Sequence, residues 1–204
     1  MLNAQSEFDR RKIEVDEYIS HLEMLNQQLG FSPSLMNTMK SSALLMMYNI
    51  VESTMTNLLQ DVFDHLESKK ISFDSLNSTM KVLVLVYSKK RNPATLVEKM
   101  NKSTLNLVVA CFDRSELFSG NLDCKKIRET LKDIGVQTQH TYREGALLQV
   151  KTERNDLAHG IKSFADCGKA YTTQQLRDFH TRTTGTLTRV IQDFETFLNA
   201  KAYA

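Results

Sequence analysis

The scarcity of turn-forming residues constrains the fold more than any other feature of this sequence. Only 7 glycines and 2 prolines occur among 204 residues. Tight β-turns depend on these residues, because glycine tolerates positive φ and proline fixes φ for a turn. The composition therefore favours long helices over hairpins. A chain of this length forms one sizeable core, so we expect a single domain over residues 1–204.

Charge and apolar content place the chain among globular proteins. Hydrophobic residues make up 41% and charged residues 25%, and the net charge of +2 does not by itself indicate nucleic-acid binding. The charged N-terminus does not resemble a secretory signal, and no apolar run approaches the roughly 18 residues of a membrane span. We expect a cytoplasmic protein that does not contact a membrane. The three cysteines are too widely spaced for a zinc site or a disulfide framework, so no metal or cofactor is predicted.

Apolar spacing and capping residues predict two long helices in the first third of the chain. The first is expected from Phe8 to Leu29, with Gly30 as its C-terminal cap. The second begins after Ser32, a good N-cap, with Pro33 at the first helical position, and extends to Leu66. Its length would be about 50 Å and its middle is apolar on more than one side, so we expect it at the centre of the fold.

The middle of the chain is harder to interpret. Asp74 or Ser75 is suited to cap a third helix that ends at Tyr87, although the β-branched run at residues 82–86 would also suit a strand. Residues 89–119 are expected to form a long loop carrying a short helix. Asp123 should cap a helix over residues 124–134 that Gly135 closes.

Two further helices are predicted towards the C-terminus. One starts near Thr141, and the last is capped by Thr172 or Thr173 and extends to about Asn199. The sequence therefore predicts an all-α bundle of five or six helices.

Polar residues of several chemical types crowd into the stretch KTERNDLAHGIKSF, residues 151–164. Arg154, Asn155, Asp156 and His159 fall within six residues, and Gly160 follows. One interpretation is an exposed helix face that ends in a glycine cap. Asn155 and His159 share a face, whereas Arg154 and His159 lie about 140° apart around an ideal helix. Arg154 and His159 would meet one anion only if the helix ends or bends, or if a partner subunit completes the site.

The same stretch resembles a known motif. Arginine, four residues and then histidine, with a polar residue directly after the arginine, is similar to the Arg-x4-6-His motif of HEPN domains. The segments LLMMYNIVEST, FSGNLDCKKIRE and RNDLAHGIKSFADCGKAYTTQQL together resemble the MAE_28990/MAE_18760-like HEPN family. The resemblance covers most of the chain. It implies a HEPN-like helical bundle that acts as a homodimer and cleaves RNA without a metal.

The resemblance also assigns roles to the motif residues. His159 would transfer a proton near neutral pH, and Arg154 would bind phosphate oxygens. Asn155 would orient the histidine or bond the phosphate. Asp156 is left without a catalytic role and is expected to hold Arg154. A second histidine would come from the partner chain, since each chain offers only one such residue.

Supporting residues are predicted outside the motif. Glu52 lies in an apolar stretch and would pair with Arg154 if it is buried, or else faces solvent at a break in the stripe. Asn49, three residues earlier, would join the same cluster, whereas Asn121 is expected to shape a turn. Three basic residues near the motif are weak candidates for RNA contact, because such residues usually form solvated faces: Lys151, Lys162 and Lys169. The other histidines are expected at the surface: His21, His65, His140 and His180.

Two functions remain open at this stage. The first is an endoribonuclease acting on tRNA or mRNA in phage defence or as a toxin of a toxin-antitoxin pair, with an antitoxin or defence-system protein as partner. The alternative is a non-catalytic HEPN-type regulatory subunit that binds RNA or a nucleotide. A purely structural helical dimer would leave the polar motif unexplained. In some HEPN toxins a tyrosine lies two residues after the histidine, and an antitoxin attaches AMP to this tyrosine. Ile161 occupies that position here, so we do not expect control by this modification.

Overall fold

A computed structural model describes residues 2–103, 107–114, 117–118, 121–138, 140–142 and 145–204. These residues contain no strand, which confirms the predicted all-α bundle. They form nine α-helices: α1 (Asn3–Leu25), α2 (Pro33–Ser68), α3 (Ser78–Lys89), α4 (Pro93–Ser103), α5 (Leu107–Ala110), α6 (Cys124–Ile134), α7 (Gly145–Ala158), α8 (Phe164–Lys169) and α9 (Thr173–Asn199). The count exceeds the predicted five or six because α4, α5 and α8 are short and carry weak sequence signals.

The first helix lies several residues nearer the N-terminus than predicted. It begins at Asn3 rather than Phe8, because the Asp61 carboxylate, on α2, accepts a hydrogen bond from the Ala4 amide at 2.8 Å. This cap comes from a distant part of the chain, so local sequence does not reveal it. At the other end the helix unwinds into a tighter turn before Gly30, and Leu29, predicted to be helical, is fully exposed.

Helix α2 is the central element, as predicted. The Ser32 hydroxyl accepts a hydrogen bond from the Leu35 amide, and Pro33 is the first helical residue. At 1.5 Å per residue its 36 residues span about 54 Å. It packs against α1, α5, α7, α8 and α9, and the buried apolar residues form one connected cluster around it.

Helix α8 lies with its backbone directly against α2. A Cβ atom placed on Gly168 would lie 1.8 Å from the carbonyl oxygen of Asn37, far inside any permitted contact. One turn further along α2, the Ser41 hydroxyl donates to the Phe164 carbonyl at 2.6 Å. These two contacts fix the position of α8, and with it the turn that joins α7 to α8.

The third predicted helix is present, but its cap was wrong. Asp74 and Ser75 lie in a short 3₁₀ turn, and Asn77 caps α3 by accepting a hydrogen bond from the Met80 amide at 2.9 Å. The strand alternative for residues 82–86 was wrong as well, since they are helical. Asn77 also donates its side-chain amide to the Ala202 carbonyl, a contact that sequence spacing does not predict.

Residues 89–119 were predicted as a long loop carrying a short helix, and the described part contains more helix than that. The described residues include α4 and α5, while residues 104–106, 115–116 and 119–120 lie outside the described part. Helix α6 is as predicted, with the Asp123 carboxylate accepting from the Lys126 amide and Gly135 at φ +89°. Helix α7 begins at Gly145 rather than near Thr141, and the two residues before it lie outside the described ranges.

The last helix confirms its predicted cap and end. The Thr172 hydroxyl and the Gln175 side chain exchange hydrogen bonds with each other's backbone amides, and α9 ends at Asn199. His180, predicted to be exposed, is buried because α1 covers this side of α9, and burial lowers its pKa. Throughout the part of the chain that the structure describes, no helix is long and apolar enough to cross a membrane.

Candidate active site

Helix α7 carries the motif and separates its residues onto two sides. Steps of four, three and four residues place one set against the protein interior: Ala146, Val150, Glu153 and Leu157. The same steps place another set on the outer side, partly or fully exposed: Leu148, Thr152, Asn155 and His159. Glu153 is thus a carboxylate within an otherwise apolar buried stripe. The motif residues follow it directly in sequence but face another way.

The end of α7 fixes the position of His159. Gly160 has φ +67°, the Ile161 amide donates to the Asp156 carbonyl at 2.8 Å, and the Gly160 amide donates to the Leu157 carbonyl at 3.2 Å. This pair of bonds is a Schellman motif, so the predicted glycine cap is confirmed. His159 is therefore the last residue before the chain reverses. It is exposed, and its imidazole has no hydrogen-bond partner among the described residues.

Arg154 is held against the central helix by an aromatic ring. Its guanidinium carbon lies 5.0 Å from the ring centroid of Tyr48, a cation-π contact, and its Nη1 donates to Asn155 Oδ1 at 3.1 Å. The Tyr48 hydroxyl in turn accepts from the Leu122 amide at 3.1 Å. The arginine is half-buried and stays partly open to solvent. Its planar group is thus oriented before any ligand binds.

The segment before α6 contacts the motif. Asn155 Nδ2 donates to Asn121 Oδ1 at 3.4 Å, so Asn121 lies against the motif, while the turn expected at this residue stays a prediction. Lys151 Nζ forms an ion pair with Asp123 Oδ2 at 2.6 Å, which ties α7 to the residue that caps α6. Tyr48, Asn121 and Asp123 therefore contact the motif stretch from α2 and from the segment before α6.

The two supporting residues predicted on α2 differ in their surroundings. The pKa of Tyr48 is raised, mainly by burial, and the charge of Glu52 adds to this rise. The hydrogen bond from the Leu122 amide and the charge of Arg154 act in the opposite direction. Glu52 and Arg154 therefore both lie close to this phenol, on the same part of the fold. Their direct pairing stays a prediction. Asn49 is exposed, and its role in the site also stays a prediction.

Comparison with known protein families decides the relationship. The model of the MAE_28990-like HEPN family matches residues 3–203, essentially the whole chain. The chain belongs to this HEPN family. No curated protein and no solved structure matches the chain significantly. HEPN membership indicates RNA cleavage or nucleotide binding as the class of function.

In this HEPN protein a second polar cluster lies on the inner side of α7. Glu153 is only 4% exposed, and its carboxylate accepts from four groups: Gln149 Nε2 at 3.0 Å, Lys162 Nζ at 2.9 Å, Cys167 Sγ at 3.3 Å and Tyr171 Oη at 2.8 Å. Burial raises the pKa of Glu153, but the donors from Lys162, Tyr171 and Cys167 outweigh it, and the pKa is lowered. A buried carboxylate with four donors stays ionised at neutral pH.

Lys162 joins the inner cluster to the turn that follows α7. Its ammonium contacts Glu153 at 2.9 Å and Asp156 at 2.8 Å, and these partners raise its pKa. The expectation that Asp156 holds Arg154 was therefore wrong: Asp156 binds Lys162, because the chain reversal after Gly160 returns that lysine to the helix. Of the three lysines predicted to contact RNA weakly, Lys151 and Lys162 are ion-paired and Lys169 is exposed. RNA contact by any of them stays a prediction.

Sequence reasoning missed four residues that shape the site: Tyr48, Asn121, Asp123 and Glu153. For Glu153 a signal was present, since it occurs where the apolar stripe of α7 requires a buried residue. A buried carboxylate requires donors, and Gln149, Lys162 and Tyr171 are among the residues nearby in sequence that can supply them. For Tyr48 and Asn121 we find no local signal, because their contacts with the motif join residues far apart in sequence.

Proposed function

We propose that this HEPN chain is a metal-independent endoribonuclease that cleaves RNA by transesterification as a pair of identical chains. One observation carries the proposal. A histidine without an intramolecular partner in the described structure stands at the end of α7, one turn beyond an arginine and an asparagine that are already held in place. Groups fixed before substrate binds stabilise a developing charge without a cost of reorganisation.

The reaction uses these groups in a definite order. His159 of one chain accepts the proton of a ribose 2′-hydroxyl, and the 2′-oxygen forms a bond to the adjacent phosphorus. The bond from phosphorus to the 5′-oxygen of the next nucleotide then breaks, and that oxygen takes a proton from His159 of the second chain. Arg154 stabilises the extra negative charge on the phosphorane. The products are a 2′,3′-cyclic phosphate and a 5′-hydroxyl.

Pairing of two chains is supported by apolar residues around the motif. Leu148 lies on the same outer side of α7 as Asn155 and His159, and Ile161 and Phe164 follow the motif. All three are exposed, Ile161 to 69%. Exposed apolar residues that cluster on one side of a protein commonly mark an interaction surface. The proposed role is phage defence or growth arrest as a toxin, with cellular tRNA or mRNA as substrate.

The test is cleavage of a mixed tRNA and mRNA pool by purified protein in excess EDTA. Wild type should cut and leave 2′,3′-cyclic phosphate ends, while His159→Ala should lose about 100-fold or more of the rate, as expected for a general acid and base. His21→Ala, at an exposed histidine on α1, is the matched control and should cut normally. RNA retention without cutting by folded wild-type protein would contradict the enzyme and favour a binding subunit.

Pairing needs a separate experiment. Ile161→Asp should shift the protein towards monomer in sedimentation and reduce cleavage in proportion, because a buried carboxylate opposes the apolar contact. Ile13→Asp, at a comparably exposed isoleucine on α1, should change neither property. Full activity of a monomeric Ile161→Asp protein would contradict a site shared by two chains.

A further inference from the structure

Helix α3 is apolar on more sides than its position explains. Three of its apolar residues face the interior and are buried: Met80, Leu83 and Val84. Three others face outwards, and Val82 is 60%, Leu85 53% and Val86 47% exposed. A helix that is apolar nearly all round is normally covered on all sides. In the described structure α3 packs against α5 and α6, which leaves this outer side open.

The open side of α3 borders a groove along α6. Two adjoining cavities of about 490 and 150 Å³ share Leu83, Val86 and Asp133. Val82 lines the larger cavity, and Phe118 lines the smaller one. The floor of the larger cavity is thus mainly aliphatic, whereas the smaller cavity also has aromatic and charged side chains in its wall. The length of this α3–α6 groove follows that of α3, about 18 Å at 1.5 Å per residue, which is three turns of a helix.

The rim of the α3–α6 groove is basic, although the chain as a whole is nearly neutral. Lys90, Lys126 and Lys132 line it, against one carboxylate, Asp133. Lys126 has a neighbour in Glu129 at 3.5 Å, but both side chains are about half exposed and the pair is weak. Helix α3 contributes no acidic residue to this surface. An apolar floor with a basic rim matches a ligand that is apolar on one side and acidic on the other.

We propose that the α3–α6 groove binds an acidic amphipathic helix of a partner protein. The partner's apolar residues, spaced three and four apart, lie on Val82, Leu85 and Val86, and its carboxylates face the rim lysines. Val82, Leu85 and Val86 offer no aromatic ring on which a base could stack, so this side of α3 favours an apolar helix face over nucleic acid. This surface lies on α3 and along α6, and only Lys126 of its rim is near the N-terminal end of α6, where the motif lies. The proposal therefore does not depend on RNA cleavage.

A synthetic peptide tests the proposal directly. The probe is a fluorescein-labelled helix of about 18 residues with leucines at three- and four-residue spacing and glutamates elsewhere. Fluorescence anisotropy with the full chain should show saturable binding that weakens as NaCl is raised. The same peptide with lysines in place of the glutamates should bind at least about tenfold more weakly, because it meets like charges.

Variants of the protein locate the binding surface. Val82→Asp and Lys132→Glu should each weaken binding of the acidic peptide several-fold, since one adds a charge to the floor and the other reverses a charge on the rim. Ile13→Asp and Arg182→Glu place the same changes on exposed positions of α1 and α9 and should leave binding unchanged. Circular dichroism checks that each variant is folded.

Three outcomes would overturn the proposal. Equal binding of the acidic and basic peptides would show that the rim charge does not select the ligand. Binding unchanged in Val82→Asp would place the peptide elsewhere. Self-association of the wild-type chain in sedimentation that Val82→Asp abolishes would show that a second copy, and not an acidic partner helix, covers α3.

Discussion

On the inner side of α7, four donors of the same chain enclose Glu153. Arg154, over the Tyr48 ring, and Asn155 and His159, on the outer side, keep part of their binding capacity open to solvent. These residues are neighbours in sequence and similar in polarity. The difference lies in what the rest of the fold brings to each side: α8 and the turn before it supply Lys162 and Cys167 to one, and solvent adjoins the other. Neighbouring polar residues on one helix thus divide between an enclosed cluster and a set that stays open to ligands.

The largest expected effect concerns Arg154, one of the residues that stay open to solvent. Arg154→Ala should reduce RNA cleavage by about 10²- to 10³-fold, the usual loss when a group that stabilises the transition state is removed. The melting temperature should change little, because the arginine is only half-buried. Arg182→Ala, at an exposed arginine on α9, should retain full activity. A large fall in melting temperature with Arg154→Ala would place this residue with the structural side instead.

The next effect concerns the inner side. Glu153→Ala should lower the free energy of unfolding by about 3 kcal/mol, because it leaves the buried Cys167 thiol and the half-buried Tyr171 and Gln149 donors without their carboxylate acceptor. Urea denaturation followed by circular dichroism measures this loss. Any fall in cleavage should follow the fraction of unfolded protein and recover at lower temperature. Loss of activity in fully folded Glu153→Ala would break the separation of the two sides.

A smaller effect distinguishes two lysines that sequence reasoning treated alike. Lys162→Met should cost about 1 kcal/mol of stability, since Glu153 and Asp156 lose a shared partner while other donors remain at Glu153. Lys169→Met should change stability by less than about 0.5 kcal/mol, because its side chain is exposed. Equal melting curves for the two variants would contradict the ion pairs of Lys162.

The smallest effect is a pH dependence. The folded state lowers the pKa of Glu153, so the native protein binds fewer protons than the unfolded chain in mild acid. The resulting stability is present at neutral pH and is lost as the pH falls below the ordinary pKa of a glutamate, about 4.3, towards the lower pKa of the folded state. In Glu153→Gln this part of the pH dependence should disappear, which denaturation midpoints at pH 7, 5 and 4 would reveal. An unchanged slope would mean that other carboxylates control acid unfolding.

Sequence patterns predicted those parts of the fold that local contacts determine. Ser32, Asp123 and Thr172 each cap a helix within three residues of themselves, so their positions could be read directly from the chain. The start of α1 and the cap of α3 were predicted wrongly, because Asp61 and the C-terminal residues Ala202 and Tyr203 take part in them from far along the sequence.

The candidate site divides in the same way. The end of α7 at Gly160 is a local property and was predicted, whereas the ring under Arg154 and the amide beside Asn155 come from α2 and from the segment before α6. Asp156 was assigned to the wrong partner because proximity in sequence favoured Arg154. The chain reversal returns Lys162 to it instead.

The contact between α8 and α2 has a consequence for how the chain can vary. Since a Cβ on Gly168 would lie only 1.8 Å from the Asn37 carbonyl oxygen, no other amino acid fits there without moving a helix. Sliding α8 along α2 by a single residue would put Cys167 or Lys169 at that point and meet the same obstacle. Among variants selected only for folding, we expect Gly168 to be retained while the exposed positions around it vary. This glycine is required at the one point where the alignment of α8 with α2 leaves no room for a side chain.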